Sequence, residues 1–503
     1  MNDLNSTSAY EALKSRFHRL AALQGAQAVL HWDRATMMPE GGAQARAEQQ
    51  AALAMVGHEM LTSPHLADLA QSAEETAAAL PDWDRANLSE MRRLITHANA
   101  TPADLVEKLA RTRSETEMIW RSARAANDYA SLAPALQRLL DLTRAQGEAK
   151  GAALGLDPYD ALLDGYDPNR RAAEIDRLFA DLEGFLPSLL REVMEVQRAG
   201  PARLPIEGPF RIDLQEKLGR EVMEVLGFDF RHGRLDVSHH PFTGGVPDDS
   251  RITTRYDEAD FTESLMAVIH ETGHSLYERG LPEEWRLQPV GRARGMTIHE
   301  SQSLLFEMQA GRTASFIAWL APRLKDAFGG EGPAWSPDNL LRHYRKVGPS
   351  LIRVQADEVT YPLHVILRYR LERAMIAGDL AAAELPAAWN EGMEKLLGIR
   401  PPDDASGCMQ DIHWPSGSFG YFPTYTLGAL AAAQLFAAAK AAVPGLENSL
   451  GRGDFSGLIQ WVRANVHSLG SSLTPDEIIV SATGGPLGTA AFQRHIEGRY
   501  LNG

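Results

Sequence analysis

The chain has a single cysteine, Cys408, among its 503 residues. An internal disulfide is therefore excluded, and nothing in the cysteine content requires an oxidising compartment. Positive charge is the scarcer sign, because 50 lysines and arginines stand against 66 aspartates and glutamates and leave a net charge of −16. A surface of that sign argues against binding to nucleic acids and to anionic membranes.

Long hydrophobic runs are also missing from the chain. The most apolar segment, residues 427–443, is mostly alanine and is interrupted by Gln434 and Lys440, so it predicts a buried helix and not a membrane span. Residues 1–20 lack the basic-then-apolar pattern of a secretory signal peptide. We therefore expect a soluble, cytoplasmic protein.

The residues that are abundant favour helices. Residues 9–198 are rich in Ala, Leu, Glu, Arg and Gln at helical spacing, which predicts a series of helical hairpins. The pattern changes at residues 228–237 and 251–256, where alternating or β-branched residues flank a glycine pair, Gly244-Gly245, that is typical of a turn. A small antiparallel sheet is expected there.

Residues 262–280 contain the motif His-Glu-x-x-His, formed by His270, Glu271 and His274. Asp260 can cap a helix at this point, and the apolar residues that follow it have helical spacing. Two imidazoles four positions apart on one helix face can bind the same zinc ion, with a third protein ligand from elsewhere and one position left for water. A helix can also carry these residues on its surface without metal, so the third ligand is important.

Glu300 is the candidate for that third ligand. It follows His274 by 26 residues, which is enough for the chain to leave the first helix, turn and return on a second helix, expected over residues 296–312. The pattern Thr297-x-x-Glu300 also matches a capping box, in which the glutamate binds a backbone amide instead. Spacing alone does not decide between the two.

Arg353 and Asp357 are four residues apart, the spacing of an ordinary ion pair on a helix surface. Their apolar neighbours also allow the alternative that the arginine faces a cleft. Residues 397–423 are rich in turns and polar atoms, including Gln410 and His413. Such a segment can present hydrogen-bond donors to a transition-state anion, although many loops of this kind are only well-bonded surface.

Six motifs occur in the order in which one peptidase family carries them. They are His240-Pro241-Phe242, Asp249-x-Arg251-x-Thr253, His270-Glu271-x-x-His274, His299-Glu300-Ser301-Gln302, Ile352-Arg353-x-x-Ala356-Asp357 and Gly407-x-x-Gln410-Asp411-x-His413-Trp414. With these motifs the chain resembles, nearly end to end, the thermostable carboxypeptidase Taq family of metallocarboxypeptidases.

The resemblance implies a mainly α-helical body of neurolysin-like zincin architecture, with a deep groove and the small sheet beside the zinc helix. It implies one peptidase domain over residues 1–503, in which residues 1–200 form a helical groove wall and residues 201–503 bind zinc, and it implies a homodimer. Zn²⁺ is the implied cofactor, for which Co²⁺ is expected to substitute. The implied activity removes single amino acids from peptide C-termini, with broad specificity and poor cleavage next to proline.

The resemblance also assigns roles to individual residues. His270, His274 and Glu300 are the implied metal ligands, Glu271 is the general base, and Arg353 is expected to grip the terminal carboxylate of the substrate. His413 and Tyr421 are candidates for stabilising the tetrahedral anion, with Tyr425 as the alternative that contacts substrate. His240 is a further candidate for shaping the groove.

Two other functions are consistent with the same residues. An oligoendopeptidase or a dipeptidyl carboxypeptidase would use the same zinc ligands without needing a free terminal carboxylate in the same subsite. A non-catalytic peptide-binding protein is the third possibility. Glu271 argues against that one, because a purely structural site has no use for a base.

Overall fold

The computed structural model describes residues 3–502, and the chain is mainly helical, as expected. Within this range the α-helices are α1 (Asp3–Thr36), α2 (Ala43–Thr62), α3 (Pro64–Glu74), α4 (Asp82–Ala100), α5 (Ala103–Ala126), α6 (Tyr129–Leu154), α7 (Pro158–Leu163), α8 (Ala172–Ala199), α9 (Ile212–Val225), α10 (Phe261–Gly280), α11 (Gly295–Leu304), α12 (Ala314–Phe328), α13 (Pro337–Tyr344), α14 (Tyr361–Ala377), α15 (Leu385–Leu397), α16 (Pro423–Ala442), α17 (Leu446–Leu450), α18 (Ser456–Asn465), α19 (Pro475–Thr483) and α20 (Ala490–Tyr500).

A three-stranded sheet lies beside α10. Its strands are β1 (Gly233–Val237), β2 (Phe242–Val246) and β3 (Asp249–Thr254), in the spatial order β1-β3-β2. β3 pairs antiparallel with β2, where Thr243 is opposite Ile252, and parallel with β1, where Leu235 is opposite the same Ile252. The buried side chains of Ile252 and Val268 share one apolar cluster, which holds the sheet against the helix.

The prediction of an antiparallel sheet is therefore wrong for one of the two strand pairs. The chain reverses at Pro247-Asp248, so β3 folds directly back onto β2. Residues 238–241 carry the chain past the place that β3 fills, and β1 and β3 consequently run in the same direction. The predicted turn at Gly244-Gly245 lies inside β2, where Gly245 has a φ of 88° and bends the end of the strand.

The helices that carry the candidate site belong to one large apolar core. This core includes buried residues from Trp120 to Tyr500, and α16, the predicted buried helix, contributes Leu427, Leu430 and Leu435 to it. A separate cluster joins α1, α3 and α4. The described residues contain no helix with the length and apolar content needed to cross a membrane.

Candidate active site

The structure brings His270, His274 and Glu300 together. One ligand atom from each side chain lies within 4.8 Å of the other two, and no second group of metal-ligating side chains this close occurs among residues 9–502. The Oε2 atom of Glu300 is 3.6 Å from Nε2 of His274 and 3.9 Å from Nε2 of His270. These atoms surround a space that a single ion bound to all three would fill.

Two glycines allow the helices to approach closely enough for this arrangement. A Cβ atom on Gly273, between the two histidines on α10, would lie 2.7 Å from the carbonyl oxygen of Gln302 on α11. A Cβ atom on Gly428 of α16 would lie 2.7 Å from the side chain of Glu300. Helix α11 is therefore held between two surfaces without side chains, and Glu300 is pressed toward α10.

The capping-box alternative for Glu300 is wrong. Helix α11 has Arg294 as its N-cap, and no side chain caps it. The hydroxyl of Thr297 instead donates to Oδ2 of Asp167, at 2.8 Å. The predicted helix over residues 296–312 ends as an α-helix at Leu304 and continues as a π-helical segment, Leu305–Ala310.

Both histidines use their Nδ1 atoms for contacts with the protein. Nδ1 of His270 lies 2.9 Å from Oε2 of Glu307, and Nδ1 of His274 lies 3.1 Å from the main-chain oxygen of His299. Partners of this kind fix the ring orientation and leave the Nε2 lone pairs free for a metal. The residues therefore fit a bound divalent cation.

Buried charge at the site also favours a cation. Burial opposes protonation of His270, but the carboxylates of Glu307 and Glu300 outweigh it and raise the His270 pKa to about 10. Burial and the neighbouring His299 hold the pKa of His274 well below its usual value, so this ring is neutral. The excess of carboxylates over cations is a physical reason for a divalent ion to bind here.

Glu271 is buried and hydrogen-bonded by the sheet. The hydroxyl of Thr243 on β2 lies 2.7 Å from Oε2 of Glu271 and 2.8 Å from its main-chain oxygen. Burial raises the pKa of Glu271 above its usual value, while His270 and the Thr243 hydrogen bond partly offset that rise. A buried carboxylate in a fixed orientation is suited to proton transfer.

His413, Tyr421 and Tyr425 form a cluster next to the three candidate ligands. Nε2 of His413 lies 3.1 Å from the Tyr425 hydroxyl, and the rings of Tyr421 and Tyr425 are 5.2 Å apart. Burial is the main cause, and Glu300 a further one, of the raised pKa values of both tyrosines. Burial lowers the pKa of His413 to about 3, so its ring is neutral near pH 7.

Arg353 is buried and forms its ion pair with Asp411, so the alternative of a surface pair with Asp357 is wrong. The Nε and Nη2 atoms of Arg353 lie 3.1 and 2.9 Å from Oδ1 of Asp411, and Nη1 lies 3.2 Å from the Tyr361 hydroxyl. Residues 353–355 form a short 3₁₀ turn, and α14 begins only at Tyr361. Asp357 accepts hydrogen bonds from nearby backbone amides, including that of Gly348.

Asp411 and Gln410 each bind both Arg353 and a second buried arginine, Arg368. Oδ2 of Asp411 accepts from Nε of Arg368 at 2.6 Å, and Oε1 of Gln410 accepts from its Nη2 at 2.7 Å. The same Gln410 oxygen accepts from the backbone amide of Arg353 at 2.9 Å. Asp411 occupies the edge of the Arg353 guanidinium formed by Nε and Nη2. The other edge, formed by Nη1 and Nη2, keeps N–H donors for another acceptor.

His240 is placed away from the three ligands. It is exposed on the connection between β1 and β2, next to His239, and its charged neighbours are Arg255 and Arg124. In the motif Asp249-x-Arg251-x-Thr253, Arg251 pairs with Asp249, and its guanidinium lies over the ring of Trp32 on α1. These residues shape the sheet and do not reach the metal-ligating group.

A cleft of about 1110 Å³ opens beside the site. Its wall includes His299, Glu278 and Tyr166, and the end of β2 at Gly245 and Val246. The ring of His299 stacks on the ring of His274, with 4.4 Å between the ring centroids. The cleft is therefore bounded by a side chain that packs directly on a candidate ligand. The end of β2 runs along this cleft, and none of the three candidate ligands is part of its wall.

Sequence reasoning missed Thr243 and Glu307. Thr243 directly follows the motif that ends at Phe242, but its partner became visible only when residues 242–246 proved to be a strand. Glu307 lies seven residues after Glu300, or about two helical turns, and this spacing is a signal for a shared face.

Known proteins are similar to this chain over nearly its whole length. A family model described as carboxypeptidase Taq (M32) metallopeptidase matches residues 12–500. Thermostable carboxypeptidase 1 of Thermus thermophilus is 38% identical over 98% of both chains. The solved structure of Trypanosoma cruzi metallocarboxypeptidase 1 is 41% identical, with a TM-score of 0.96 over 98% of this chain and 99% of that one. For the M32 carboxypeptidase of Deinococcus radiodurans the identity is 36% and the TM-score 0.94, over 98% and 99% of the two chains.

Proposed function

The chain belongs to the carboxypeptidase Taq (M32) family of metallopeptidases, which hydrolyse peptide bonds, and we propose that it removes single residues from free peptide C-termini. The observation that carries this proposal is that the Arg353 guanidinium lies 4.8 Å from the ring centroid of Tyr425, in the cluster next to the three candidate ligands. A guanidinium beside the metal-ligating group gives a terminal carboxylate one place to bind and the adjacent peptide bond another.

His270, His274 and Glu300 are the proposed metal ligands, and zinc is the proposed ion, with cobalt as a substitute. Two imidazole nitrogens and one carboxylate are a donor set that catalytic zinc uses in peptidases. When bound, such an ion lowers the pKa of a coordinated water and polarises the scissile carbonyl. Glu307 and the main-chain oxygen of His299 keep both rings in the orientation this requires.

Glu271 is the proposed general base. Its carboxylate accepts a proton from the attacking water and later donates it to the leaving amine, while the Thr243 hydroxyl keeps Oε2 in place. His413, Tyr421 and Tyr425 are the proposed donors to the developing negative oxygen. Donors held in position before the reaction stabilise that charge without reorganising.

Arg353 is the proposed clamp for the terminal carboxylate. Asp411 holds its Nε–Nη2 edge and the Tyr361 hydroxyl accepts from Nη1, so a substrate carboxylate would bind the remaining N–H donors of Nη1 and Nη2 with both oxygens. This geometry favours an exopeptidase over an endopeptidase on the same scaffold. His240, being exposed, is proposed only as a residue at the margin of the groove.

The remaining proposals concern the state of the whole protein. Residues 1–503 are proposed to act as one peptidase domain in the cytoplasm, where the buried Cys408 stays reduced. A homodimer is proposed because α2 contains no buried residue and exposes the side chains of Met55 and Val56, and Met37, which precedes α2 in the chain, is exposed as well. Light scattering on the intact protein and on Met55→Asp measures this directly.

The function is tested with one unblocked peptide and its C-terminally amidated twin, each with and without a chelator. Mass spectrometry over time should show stepwise loss of single residues from the unblocked peptide only, and the chelator should stop it. Internal cuts in both peptides would instead establish an endopeptidase. Cleavage that resists the chelator would remove the metal from the proposal.

A further inference from the structure

Four arginines line the cleft beside the active site: Arg93, Arg286, Arg292 and Arg294. Three of them form ion pairs with carboxylates. Arg93 and Arg294 both pair with Glu90, and Arg286 pairs with Asp248 at 2.7 Å. Arg292 differs from these three, because no carboxylate among residues 9–502 lies within ion-pair distance of its guanidinium.

The side chain of Arg292 makes one hydrogen bond to the protein, to Oε1 of Gln24 on α1. Burial lowers its pKa below the usual value, and Glu278 only partly opposes that effect. Glu278 itself is occupied by His299, whose Nε2 lies 2.9 Å from its Oε1. An arginine that is partly buried, has no ion-pair partner among the described side chains and is open to a cleft retains donors for an anionic ligand.

The position of the cleft indicates which part of a substrate would meet Arg292. The cleft wall includes His299 and Glu278, on the side of the ligand His274, and none of the residues around Arg353. A peptide whose terminal carboxylate binds Arg353 would therefore extend its upstream residues into this cleft. This step depends on the proposed carboxypeptidase function.

We propose that Arg292 forms a subsite for the carboxylate of an acidic side chain upstream of the scissile bond. The planar guanidinium can bind both carboxylate oxygens, which gives the pair geometric specificity as well as energy. The subsite makes the enzyme selective for peptides with aspartate or glutamate at that upstream position. It acts independently of the clamp at Arg353.

The test uses zinc-loaded protein and six-residue peptides that share one C-terminal residue. Glutamate replaces glutamine at each upstream position in turn, and kcat/KM is measured for every peptide. At one position glutamate should raise kcat/KM about tenfold in the wild type, and Arg292→Gln should remove that preference. Raising the salt from about 0.05 to about 0.5 M should also reduce it in the wild type, which needs no variant.

Two controls separate binding from structural roles. Gln24→Ala removes the protein partner of Arg292 but not its charge, so the preference for glutamate should persist. Arg286→Gln removes a cleft arginine that is already paired with Asp248, and it should change the preference much less than Arg292→Gln.

The outcomes distinguish the subsite from the proposed function. If all peptides are trimmed without a glutamate preference, or if the preference survives in Arg292→Gln, the subsite is wrong and the carboxypeptidase stands. Calorimetric binding of the same peptides is measured in parallel. Glutamate-dependent binding that is lost in Arg292→Gln, without any trimming, would support the subsite and overturn the function.

Discussion

The hydroxyl of Thr243 contacts both the carboxylate and the main-chain oxygen of Glu271, at 2.7 and 2.8 Å. The proposed base is therefore fixed from the edge strand of the sheet and not from its own helix. The sheet therefore determines where the proposed proton acceptor points.

Glu271→Gln is expected to lower kcat by at least about a thousandfold and to leave metal content unchanged. An amide of the same shape cannot accept the proton from water, whereas the three proposed ligands are untouched. Metal analysis and steady-state kinetics on the same preparation measure the two effects. Near-normal turnover would mean that another group is the base.

Thr243→Val is expected to lower kcat on the order of tenfold with little change in KM. Valine keeps the shape but removes the hydrogen bond that orients Glu271. Thr243→Ser retains the hydroxyl and should recover most of the activity. If serine and valine gave equal losses, packing and not the hydrogen bond would explain the effect.

Arg353→Lys is expected to lower kcat/KM for unblocked peptides roughly 10- to 100-fold. Lysine keeps the positive charge but cannot engage Asp411 and both oxygens of a substrate carboxylate. The measurement is the ratio of kcat/KM for the unblocked peptide to that for its amidated twin. A ratio equal to that of the wild type would exclude Arg353 as the clamp.

Tyr421→Phe and Tyr425→Phe test the stabilisation of the negative oxygen. A tyrosine that donates to it should show a loss of about a hundredfold in kcat with KM nearly constant. Tyr166→Phe is the matched control, because its ring contacts that of Tyr421 at 5.1 Å from outside the proposed set. Unchanged kcat in either variant would assign that tyrosine to packing.

Glu372 provides a test of pH dependence away from the metal-ligating group. Burial raises its pKa to about 8, although Tyr159, Trp414 and the amide of Gly420 donate hydrogen bonds to it. The carboxyl is neutral in the folded protein up to about pH 8 but ionised in the unfolded chain above 4.5. The free energy of unfolding therefore falls as pH rises through this window, by about 1.4 kcal/mol per pH unit for one proton.

Glu372→Gln removes this contribution. Urea unfolding at pH 5, 6, 7 and 8 should show a flatter pH dependence for the variant than for the wild type. The comparison of slopes cancels the titration of other groups and any constant loss from the amide. Parallel slopes would show that Glu372 is ionised in the folded protein.

Local pattern was sufficient to predict much of this protein from its sequence. Helical spacing and the cap at Asp260 predict α10. The structure confirms this helix, which begins at Phe261 and ends at Gly280. The aspartate accepts from the amide of Thr262 at 2.7 Å, as a cap should. The buried helix α16 and the loop before it were predicted in the same way, because their signals lie within a few residues of each other.

Contacts between distant segments could not be read from spacing. Whether Glu300 faces His274 or its own helix end depends on how closely α11 approaches α10, and two glycines far apart in sequence determine that distance. Arg353 had an apparent partner four residues away, but the chain does not form a helix there, and Asp411 neutralises it instead.

The sequence by itself determined the residue types of the site and the helix that carries two of its ligands, because periodicity and motif spacing are local properties. Only the tertiary structure decided the third ligand's position, the strand order of the sheet and the partner of Arg353. It also decided that Arg292 lacks the kind of ion pair that the other three arginines of the cleft form. Each of these depends on packing between segments that are dozens to hundreds of residues apart, and no pattern along the chain records that packing.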